Sequence, residues 1–410
     1  MSESSPLSLF SGFGVELEYM IVDADSLSIK AIADQLLAVG AGEPTGDVDR
    51  GEICWSNELV AHVVELKVNN PAADLKPLPG LFQQNVTEIN TLLAPLGGKL
   101  MPAGMHPWMN PDRETRLWPG EYNEVYQAFD RIFGCRGHGW ANLQSVHLNL
   151  PFANDAEFAR LHAAIRLILP ILPALTASSP VVEGRATGFM DNRLEVYRNN
   201  SRRIPLVAGQ VIPERAFSEA EYNERILEPL YAEIAPHDPA EVLRNEWLNA
   251  RGAIARFSRS AIEIRVMDVQ ECPLADVSIC AAVVAVLKAL TSERWSSLER
   301  QQSLEIEPLV EILLPTIRDA EQAVIQNADY LRLFGYPSDT CTTGELWGHL
   351  IASLPELIGP GNPWLRPLYT ILQQGPLARR ITRALKSDDL PGVYGRLCQC
   401  LGDGKMFVSD

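Results

Sequence analysis

The feature that most restricts the fold of this chain is a set of segments in which apolar and charged side chains alternate. In the first, Phe13–Val22, apolar residues alternate with Glu16 and Glu18, so a β-strand would place both carboxylates on one face. Buried parallel strands are usually continuous apolar runs, whereas alternating strands are typical of antiparallel sheets with one open face. The pattern therefore predicts an α+β fold, in which an antiparallel sheet packs on helices through one face and exposes the other.

Three further segments within the first 270 residues repeat this pattern. They are Glu58–Val68, interpreted as a strand with Glu58 and Glu65; Gln144–Pro151, with His147 and Asn149; and Ala261–Asp268, with Glu263 and Arg265. Glutamate is depleted in strands, and like charges on neighbouring strands repel each other. Such rows are stable when a cation neutralises them, and carboxylates with one histidine favour Mg²⁺ or Mn²⁺ over Ca²⁺. The sequence therefore predicts a site for more than one metal ion.

Helices are predicted between and after these strands. Leu78–Leu96 and Tyr122–Phe133 have helical spacing of apolar residues, and Asp155–Thr176 is interpreted as a long helix that Pro170 and Pro173 kink or divide. From about residue 274 onward nearly every segment has helical period.

Two segments are expected to be irregular, and one apolar stretch is expected to be buried. Asp47–Glu52 is interpreted as an acidic turn, and Ala177–Pro213 as a polar loop rich in arginine. The most apolar stretch, Ile279–Leu290, is too short to cross a bilayer and predicts a buried helix.

The charge balance limits the classes of partner. With 35 basic and 52 acidic side chains the net charge is −17, which disfavours nucleic acid or an anionic membrane as the main partner. The N-terminal residues Met1–Pro6 have no basic region followed by an apolar stretch, so we expect no signal peptide and a cytoplasmic protein. Seven cysteines with scattered spacing do not predict a disulfide framework.

A carboxylate-bound Mg²⁺ usually keeps coordination positions for phosphate oxygens, so ATP is the expected cosubstrate. Arg265 lies two residues after Glu263, which predicts that it faces the same side and contacts the transferred phosphate. No Walker-type glycine loop is present, so the nucleotide must bind by another geometry. Further candidates for phosphate or substrate carboxylate are the loop arginines Arg185, Arg193, Arg198, Arg202 and Arg203.

Six motifs in order carry a resemblance to a known family. They are Gly14-Val-Glu-Leu-Glu18, Glu58-x₆-Glu65, Gly104-Met-His-Pro-Trp108, Val146-His-Leu-Asn-Leu150, Ala174-Leu-Thr-Ala-Ser-Ser-Pro180 and Ile262-Glu-Ile-Arg-Val-Met-Asp268. Over residues 10–290 the chain resembles the glutamate–cysteine ligase family, in particular its bacterial carboxylate–amine ligase type, the second family of glutamate–cysteine ligases. This suggests a single catalytic domain, residues 1–410, with a ligase core at 10–290 and a mainly helical part at 291–410.

The resemblance implies a glutamine-synthetase-like fold, whose antiparallel sheet curves into a funnel. It also implies that ATP phosphorylates the γ-carboxylate of glutamate and that the amine of cysteine attacks the acyl phosphate. Arg265 matches an arginine facing the transferred phosphate, and Asn149 a polar neighbour of the nucleotide or a metal water. The positions that match metal ligands are Glu16, Glu18, Glu58, Glu65, His147 and Glu263.

Several functions stay open at this point. Cysteine is the default acceptor, but nothing in the sequence specifies the amine, so a ligase joining glutamate or a related acid to another amine is an alternative. Phosphate transfer to a guanidino compound on the related fold is a second alternative, and a non-catalytic nucleotide-binding relative is a third. The expected partners are small molecules, namely a glutamate-like acid and an amine, and a homodimer is conceivable.

Overall fold

A computed structural model describes residues 6–359 and 361–408 of the chain. Residues 1–5, which include most of the segment inspected for a signal peptide, lie outside the described residues. The strands of the described part are β1 (Gly14–Asp23), β2 (Asp47–Arg50), β3 (Ile53–Asn57), β4 (Val63–Val68), β5 (Gly98–Met101), β6 (Ser145–Pro151), β7 (Val181–Val182), β8 (Arg185–Ala186), β9 (Ala253–Arg256), β10 (Ala261–Asp268), β11 (Val324–Ile325) and β12 (Cys341–Thr342).

Helices surround these strands and make up most of the last third of the chain. They are α1 (Ala33–Ala41), α2 (Leu78–Leu93), α3 (Pro111–Glu114), α4 (Asn123–Phe133), α5 (His138–Ala141), α6 (Asp155–Ile168), α7 (Pro173–Thr176), α8 (Asn192–Tyr197), α9 (Glu219–Tyr222), α10 (Glu228–Ile234), α11 (Pro273–Thr291), α12 (Leu298–Ser303), α13 (Ile306–Asp319), α14 (Ala328–Leu333), α15 (Thr343–Ala352), α16 (Pro355–Ile358), α17 (Leu365–Gln374), α18 (Leu377–Ala384) and α19 (Leu390–Asp403). Pro170 and Pro173 divide the predicted long helix: α6 ends at Ile168, a short 3₁₀ turn follows, and α7 begins at Pro173.

An antiparallel sheet of eight strands forms the centre of the molecule. Its order is β2-β3-β4-β1-β6-β10-β9, and β5 pairs with the second half of β1. Strand β1 pairs with β4 along one edge and with β6, then β5, along the other. The first strand of the chain is therefore central, and its glutamates have neighbours on both sides.

The two faces of the sheet have different surroundings. Val15, Leu17, Tyr19 and Ile21 of β1 are fully buried in the main core, together with residues of α2, α6 and α11. The alternate residues, Glu16 and Glu18 among them, point to the other face, as the alternation of the sequence predicted. The α+β fold with an antiparallel sheet and a helical C-terminal region is thereby confirmed.

The C-terminal helices cover part of that second face. Met20 and Val22 of β1 continue the row begun by Glu16 and Glu18, and they are buried in a separate apolar cluster. Its other members include Met101 and Ala103 as well as residues of α18 and α19, namely Leu377, Ile381, Val393, Tyr394 and Leu397. One half of the face is therefore an apolar interface, and the other half carries the charged side chains.

Among the described residues, one helix, Pro273–Thr291, has the length and apolar composition that could cross a membrane. Within this helix, 83% of the most apolar window is buried inside the protein, and its side chains belong to the main core. The prediction of a buried helix at Ile279–Leu290 is confirmed by this packing.

Three sequence predictions were wrong. Glu58–Val68 is not one strand: β3 ends at Asn57, Glu58 lies in the following loop, and β4 begins only at Val63. The expected acidic turn at Asp47–Glu52 is instead strand β2, which forms a hairpin with β3 through Gly51, a glycine with φ of 81°. The expected loop at 177–213 contains the β7–β8 hairpin and helix α8. Short strands and helices of this kind are stabilised by tertiary contacts rather than by their local pattern.

Candidate active site

Glu16 and His147 lie opposite each other on β1 and β6. His147 Nδ1 is 2.8 Å from Glu16 Oε2, and Asn149 Nδ2 donates to Glu16 Oε1 at 3.0 Å. Burial raises the pKa of Glu16, but the hydrogen bond and charge of His147 outweigh it, so this pKa is lowered. Burial lowers the pKa of His147, but Glu16 and then Glu18 raise it to about 9. In the absence of a cation, therefore, the histidine serves as the counter-ion of the two carboxylates.

Glu18 is held by Ser145 at the start of β6. The backbone N–H and the hydroxyl of Ser145 donate to Glu18 Oε2 at 2.6 and 2.8 Å. Ser145 Oγ is also 3.0 Å from His147 Nε2. Glu18 Oε1, 3.7 Å from His147 Nε2, is the oxygen directed away from the serine. Ser145 thus fixes one oxygen of the carboxylate and leaves the other available to a ligand.

Glu65 of β4 lies opposite Glu18 in the register of the sheet. Its Oε1 accepts a hydrogen bond from Ser56 Oγ at 2.7 Å and is 3.0 Å from Lys67 Nζ. Burial and then the charge of Glu16 raise the pKa of Glu65, even though Lys67 and Ser56 oppose this shift. The single positive charge of Lys67 therefore does not balance the negative charges of Glu65 and Glu16.

Glu58 reaches the same place from the loop between β3 and β4. Its Oε2 accepts from the backbone N–H of Leu59 at 3.3 Å. Burial, followed by the charges of Glu18 and Glu65, raises the pKa of Glu58 well above its ordinary value. A carboxylate in this environment ionises readily when a cation occupies the space between the three groups.

Within the described part of the chain, two groups of three side chains have the geometry of a cation site. One is Glu16, Glu65 and His147, and the other is Glu18, Glu58 and Glu65; within each group the ligand atoms lie within 4.8 Å of one another. Glu65 belongs to both groups, so the two positions are adjacent. Carboxylate oxygens and a single imidazole are the donor set that suits Mg²⁺ or Mn²⁺. The donor set and its excess of negative charge fit the predicted divalent cations.

Glu263 lies on β10, on the far side of β6 from β1. Its Oε1 pairs with Arg265 Nε and Nη2 at 3.0 and 2.8 Å, and its Oε2 with Arg256 Nη1 at 3.3 Å. Burial raises the pKa of Glu263, but Arg265 and the other cations lower it overall. Glu263 is a member of neither group of three, so its role as a metal ligand stays a prediction.

A β-bulge positions Arg265. The pairing of β10 with β6 shifts by one residue between Ile264 and Met267, while on the other edge of β10 the backbone N–H of Arg265 bonds to the carbonyl of Gly252 at 3.0 Å and continues the register with β9. Bulges of this kind redirect side chains near functional sites. The predicted proximity of Arg265 to Glu263 is confirmed.

The loop arginines do not join this cluster. Arg193 is buried and donates to the Arg265 carbonyl at 3.0 Å and to Asp268 at 3.5 Å, so it stabilises the backbone around the bulge. Arg198 pairs with Glu195, and Arg203 donates to the Ile132 carbonyl. Arg185 and Arg202 are exposed. In residues 6–359 and 361–408 no hydrogen bond joins any of these five to the glutamates of the cluster, and their contact with ATP or substrate stays a prediction.

Sequence reasoning also missed residues that contact the cluster. Lys67 is two residues after Glu65 and was detectable from the alternation of β4. Ser145, two residues before His147, was detectable in the same way from the alternation of β6. Ser56 and Arg256 carried no such signal, because each acts across a strand pairing that the sequence did not specify. Tyr126 of α4, whose hydroxyl accepts from Asn57 Nδ2 at 3.0 Å, is brought there by tertiary folding alone.

The chain resembles one family over most of its length. The model of "Glutamate-cysteine ligase family 2" matches residues 12–323. An uncharacterised protein of Archaeoglobus fulgidus is 33% identical over 352 residues, which are 84% of this chain and 93% of that protein. A Bradyrhizobium diazoefficiens protein named "Putative glutamate--cysteine ligase 2" is 28% identical over 221 residues, 52% of this chain and 46% of that protein. The chain thus matches about half the length of such named relatives.

A solved structure shows the same fold. The glutamate–cysteine ligase of Francisella tularensis in complex with AMP superposes with a TM-score of 0.58 at 12% sequence identity. The superposition covers 95% of this chain and 88% of that one, so it includes both the sheet and the C-terminal helices. At 12% sequence identity, this superposition supports a shared fold alone.

Proposed function

This chain belongs to glutamate–cysteine ligase family 2, and from that premise we propose that it joins the γ-carboxylate of glutamate to an amine in an ATP-dependent reaction. The family and its named members point to an ATP-dependent ligase. The observation that carries the proposal is the clustering of His147, Arg265 and five glutamates at one face of a single sheet, four of the glutamates on strands and Glu58 on an adjoining loop. Such a face combines cation ligands with a fixed guanidinium, as phosphoryl transfer requires.

The proposed reaction has two steps. First, a γ-carboxylate oxygen of glutamate attacks the γ-phosphorus of ATP, the bond from that phosphorus to the bridging oxygen breaks, and ADP leaves. Second, the nitrogen of a neutral amine attacks the carbonyl carbon, the bond to the phosphate oxygen breaks, inorganic phosphate leaves, and the nitrogen releases one proton to water. An acyl phosphate is the intermediate, and it must be shielded from water.

The side chains of the cluster have separate tasks in this scheme. Glu16, Glu65 and His147 would hold one Mg²⁺, and Glu18, Glu58 and Glu65 a second. When bound, these ions supply neutralisation and orientation of the phosphate oxygens. Arg265, fixed by Glu263, directs its guanidinium towards the transferred phosphate, and Arg256 supports Glu263 from the edge strand. Positioning and charge, rather than a general base, then provide most of the catalysis.

An activity measurement tests this proposal. Purified protein is incubated with ATP, Mg²⁺, glutamate and a panel of amines, and ADP and the mass of the product are measured. We expect ADP and amide in equal amounts, dependent on both substrates and abolished by a chelator. Glu65→Gln, which removes the ligand shared by both cation positions, should lower turnover about 100-fold or more. Glu52→Gln, in the exposed β2–β3 turn, is the matched control and should retain full activity.

Two results would contradict the proposal. The absence of an amide with every pairing of glutamate and amine would reject the ligase function. A phosphorylated guanidino product in place of an amide would favour the alternative phosphotransferase. Cysteine is the default acceptor in the panel, since the family name specifies it.

A further inference from the structure

Five aromatic side chains, four of them in ring contact, form a group that begins beside the glutamate cluster and is here termed the aromatic wall. They are Tyr126, Phe129 and Phe133 of α4, Trp140 of α5, and Trp247 in the segment before β9. The ring centroids of Phe129 lie 5.3 Å from Trp140, 5.9 Å from Phe133 and 5.9 Å from Trp247, while Phe133 stacks on Trp140 at 5.3 Å. Tyr126 precedes Phe129 by three residues, so both lie on the same side of the helix.

One end of the aromatic wall adjoins the carboxylates. The hydroxyl of Tyr126 accepts a hydrogen bond from Asn57 Nδ2 at 3.0 Å, and Asn57 immediately precedes Glu58. Burial, and then the charges of Glu58 and Glu65, raise the pKa of Tyr126, as expected for a phenol close to both groups. The wall therefore begins at the second of the two cation positions.

The other end is tied to the arginine side of the site. Glu246, the neighbour of Trp247, lies 4.0 Å from Arg256 and accepts from Ser258 Oγ at 2.7 Å. Arg256 in turn pairs with Glu263. Tyr126 therefore lies near Glu58, and Trp247 is next in sequence to a residue beside the Arg256–Glu263 pair, so each end of the aromatic wall adjoins one side of the site.

Four of the rings, all but Trp140, pack against the main core, yet none of the five is fully buried. Helix α4 buries Ala128 and Ile132, whereas each of the five wall residues is only partly buried. Aromatic surface that stays accessible beside a polar site is typical of a pocket for an apolar ligand group.

We propose that the aromatic wall binds the side chain of the acceptor, and that the acceptor is a primary amine with an aromatic or bulky apolar group. This inference rests on the proposed ligase function and specifies its amine. Tyr126, Phe129 and Trp247 would hold the apolar group across the charged face, with the amine nitrogen directed to the carbonyl carbon of the acyl phosphate. The C–N bond forms there as inorganic phosphate leaves and the nitrogen releases its proton.

Competition between amines on the unmodified enzyme tests the inference first. The enzyme, with ATP, Mg²⁺ and glutamate, is supplied separately with phenethylamine, cyclohexylmethylamine, cysteine, methylamine and putrescine, and kcat/KM is determined for each from ADP release and product mass. We expect phenethylamine or cyclohexylmethylamine to exceed cysteine and methylamine by about tenfold or more, the scale of a filled apolar pocket. A preference for cysteine, methylamine or putrescine would overturn the inference while leaving the ligase function intact. If no amine forms an amide, the ligase function fails, and the acceptor assignment fails with it.

Variants then locate the preference in the aromatic wall. Phe129→Ala should raise KM for phenethylamine about tenfold and leave kcat/KM for methylamine unchanged, since methylamine has no group to fill the pocket. Phe10→Ala is the matched control, because Phe10 is also partly buried but lies beside Lys288 of α11 and is not part of the aromatic wall. Trp247→Leu provides a second substitution if Phe129→Ala lowers the melting temperature. An equal loss with every amine would assign the ring to folding alone and overturn the proposal.

Discussion

At the scale of single residues, the charged face is organised by the unequal compensation of its carboxylates. Glu16 has His147 and Asn149, Glu18 has Ser145, and Glu263 has two guanidinium groups. Glu58 and Glu65 lack a comparable balance, since their pKa values are raised by burial and by neighbouring carboxylates. The negative charge that no protein cation balances is therefore concentrated at Glu58 and Glu65, where the two groups of cation ligands meet.

Substitutions at Glu263 and Arg265 separate catalysis from stability. Arg265→Ala should lower kcat by about 10³-fold, the scale for an arginine that stabilises a transferred phosphate. The melting temperature should change little, because Arg256 still pairs with Glu263 and the carboxylate keeps a partner. Glu263→Gln should also lower turnover far more than stability. Steady-state kinetics and thermal melting of the two variants give the comparison, and unchanged turnover in either variant would remove that residue from the site.

At the scale of secondary structure elements, the long strands and helices follow the sequence pattern and the short elements do not. Strands β1, β6 and β10 alternate over seven to ten residues and were predicted close to their bounds. Strand β9 has only four residues, Ala253–Arg256, and its pairing with β10 is what stabilises it. The sequence did not predict this strand, and for that reason it also did not predict that Arg256 pairs with Glu263.

Helix α6 allows a test of stability against pH. His162 is fully buried and stacks on Phe158 with centroids 5.2 Å apart. Burial, with Arg166 nearby, lowers the pKa of His162 to about 3, whereas the unfolded chain binds a proton near pH 6.5. Below pH 6.5 the unfolded state therefore takes up a proton that the folded state does not, and stability falls as the pH decreases towards 3.

Replacement of His162 by Phe should remove that dependence. Between pH 7.5 and pH 5 the wild type should lose about 2 kcal/mol more unfolding free energy than the variant. Denaturant unfolding at the two pH values measures the difference, and the other buried histidines cancel because both proteins contain them. Equal losses in the two proteins would show that His162 can be protonated in the folded state.

At the scale of the whole molecule, helices of the C-terminal third cover part of one face of the sheet and share its apolar packing. Helices α18 and α19 bury Met20 and Val22, on the same strand face that carries Glu16 and Glu18. A fully buried ion pair between Arg380 of α18 and Glu271 after β10 connects the two parts, and both side chains also bond to the backbone of Phe407. The predicted ligase core, residues 10–290, and the helical part, residues 291–410, are therefore packed together.

Removal of one partner of the Arg380–Glu271 pair should lower the free energy of unfolding. Arg380→Met leaves Glu271 as a buried charge without its counter-ion, and we expect a loss of about 3–5 kcal/mol in unfolding free energy. The double variant Arg380→Met, Glu271→Leu should recover a large part of that loss, because neither charge remains. Denaturant unfolding provides the measurement, with Arg332→Ala as a control at an exposed ion pair, for which at most about 1 kcal/mol is expected. A single variant as stable as the wild type would refute the argument.

The sequence by itself determined the properties that depend on neighbours along the chain. Alternation with a period of two placed Glu16, Glu18, His147, Glu263 and Arg265 on strand faces, and apolar spacing located the main helices. Strand order and register were decided by the tertiary structure, because they depend on which distant segments bury their apolar faces together. That folding brought Glu58 in from a loop, placed Arg256 and Tyr126 beside the cluster, and kept the arginines of residues 185–203 out of it.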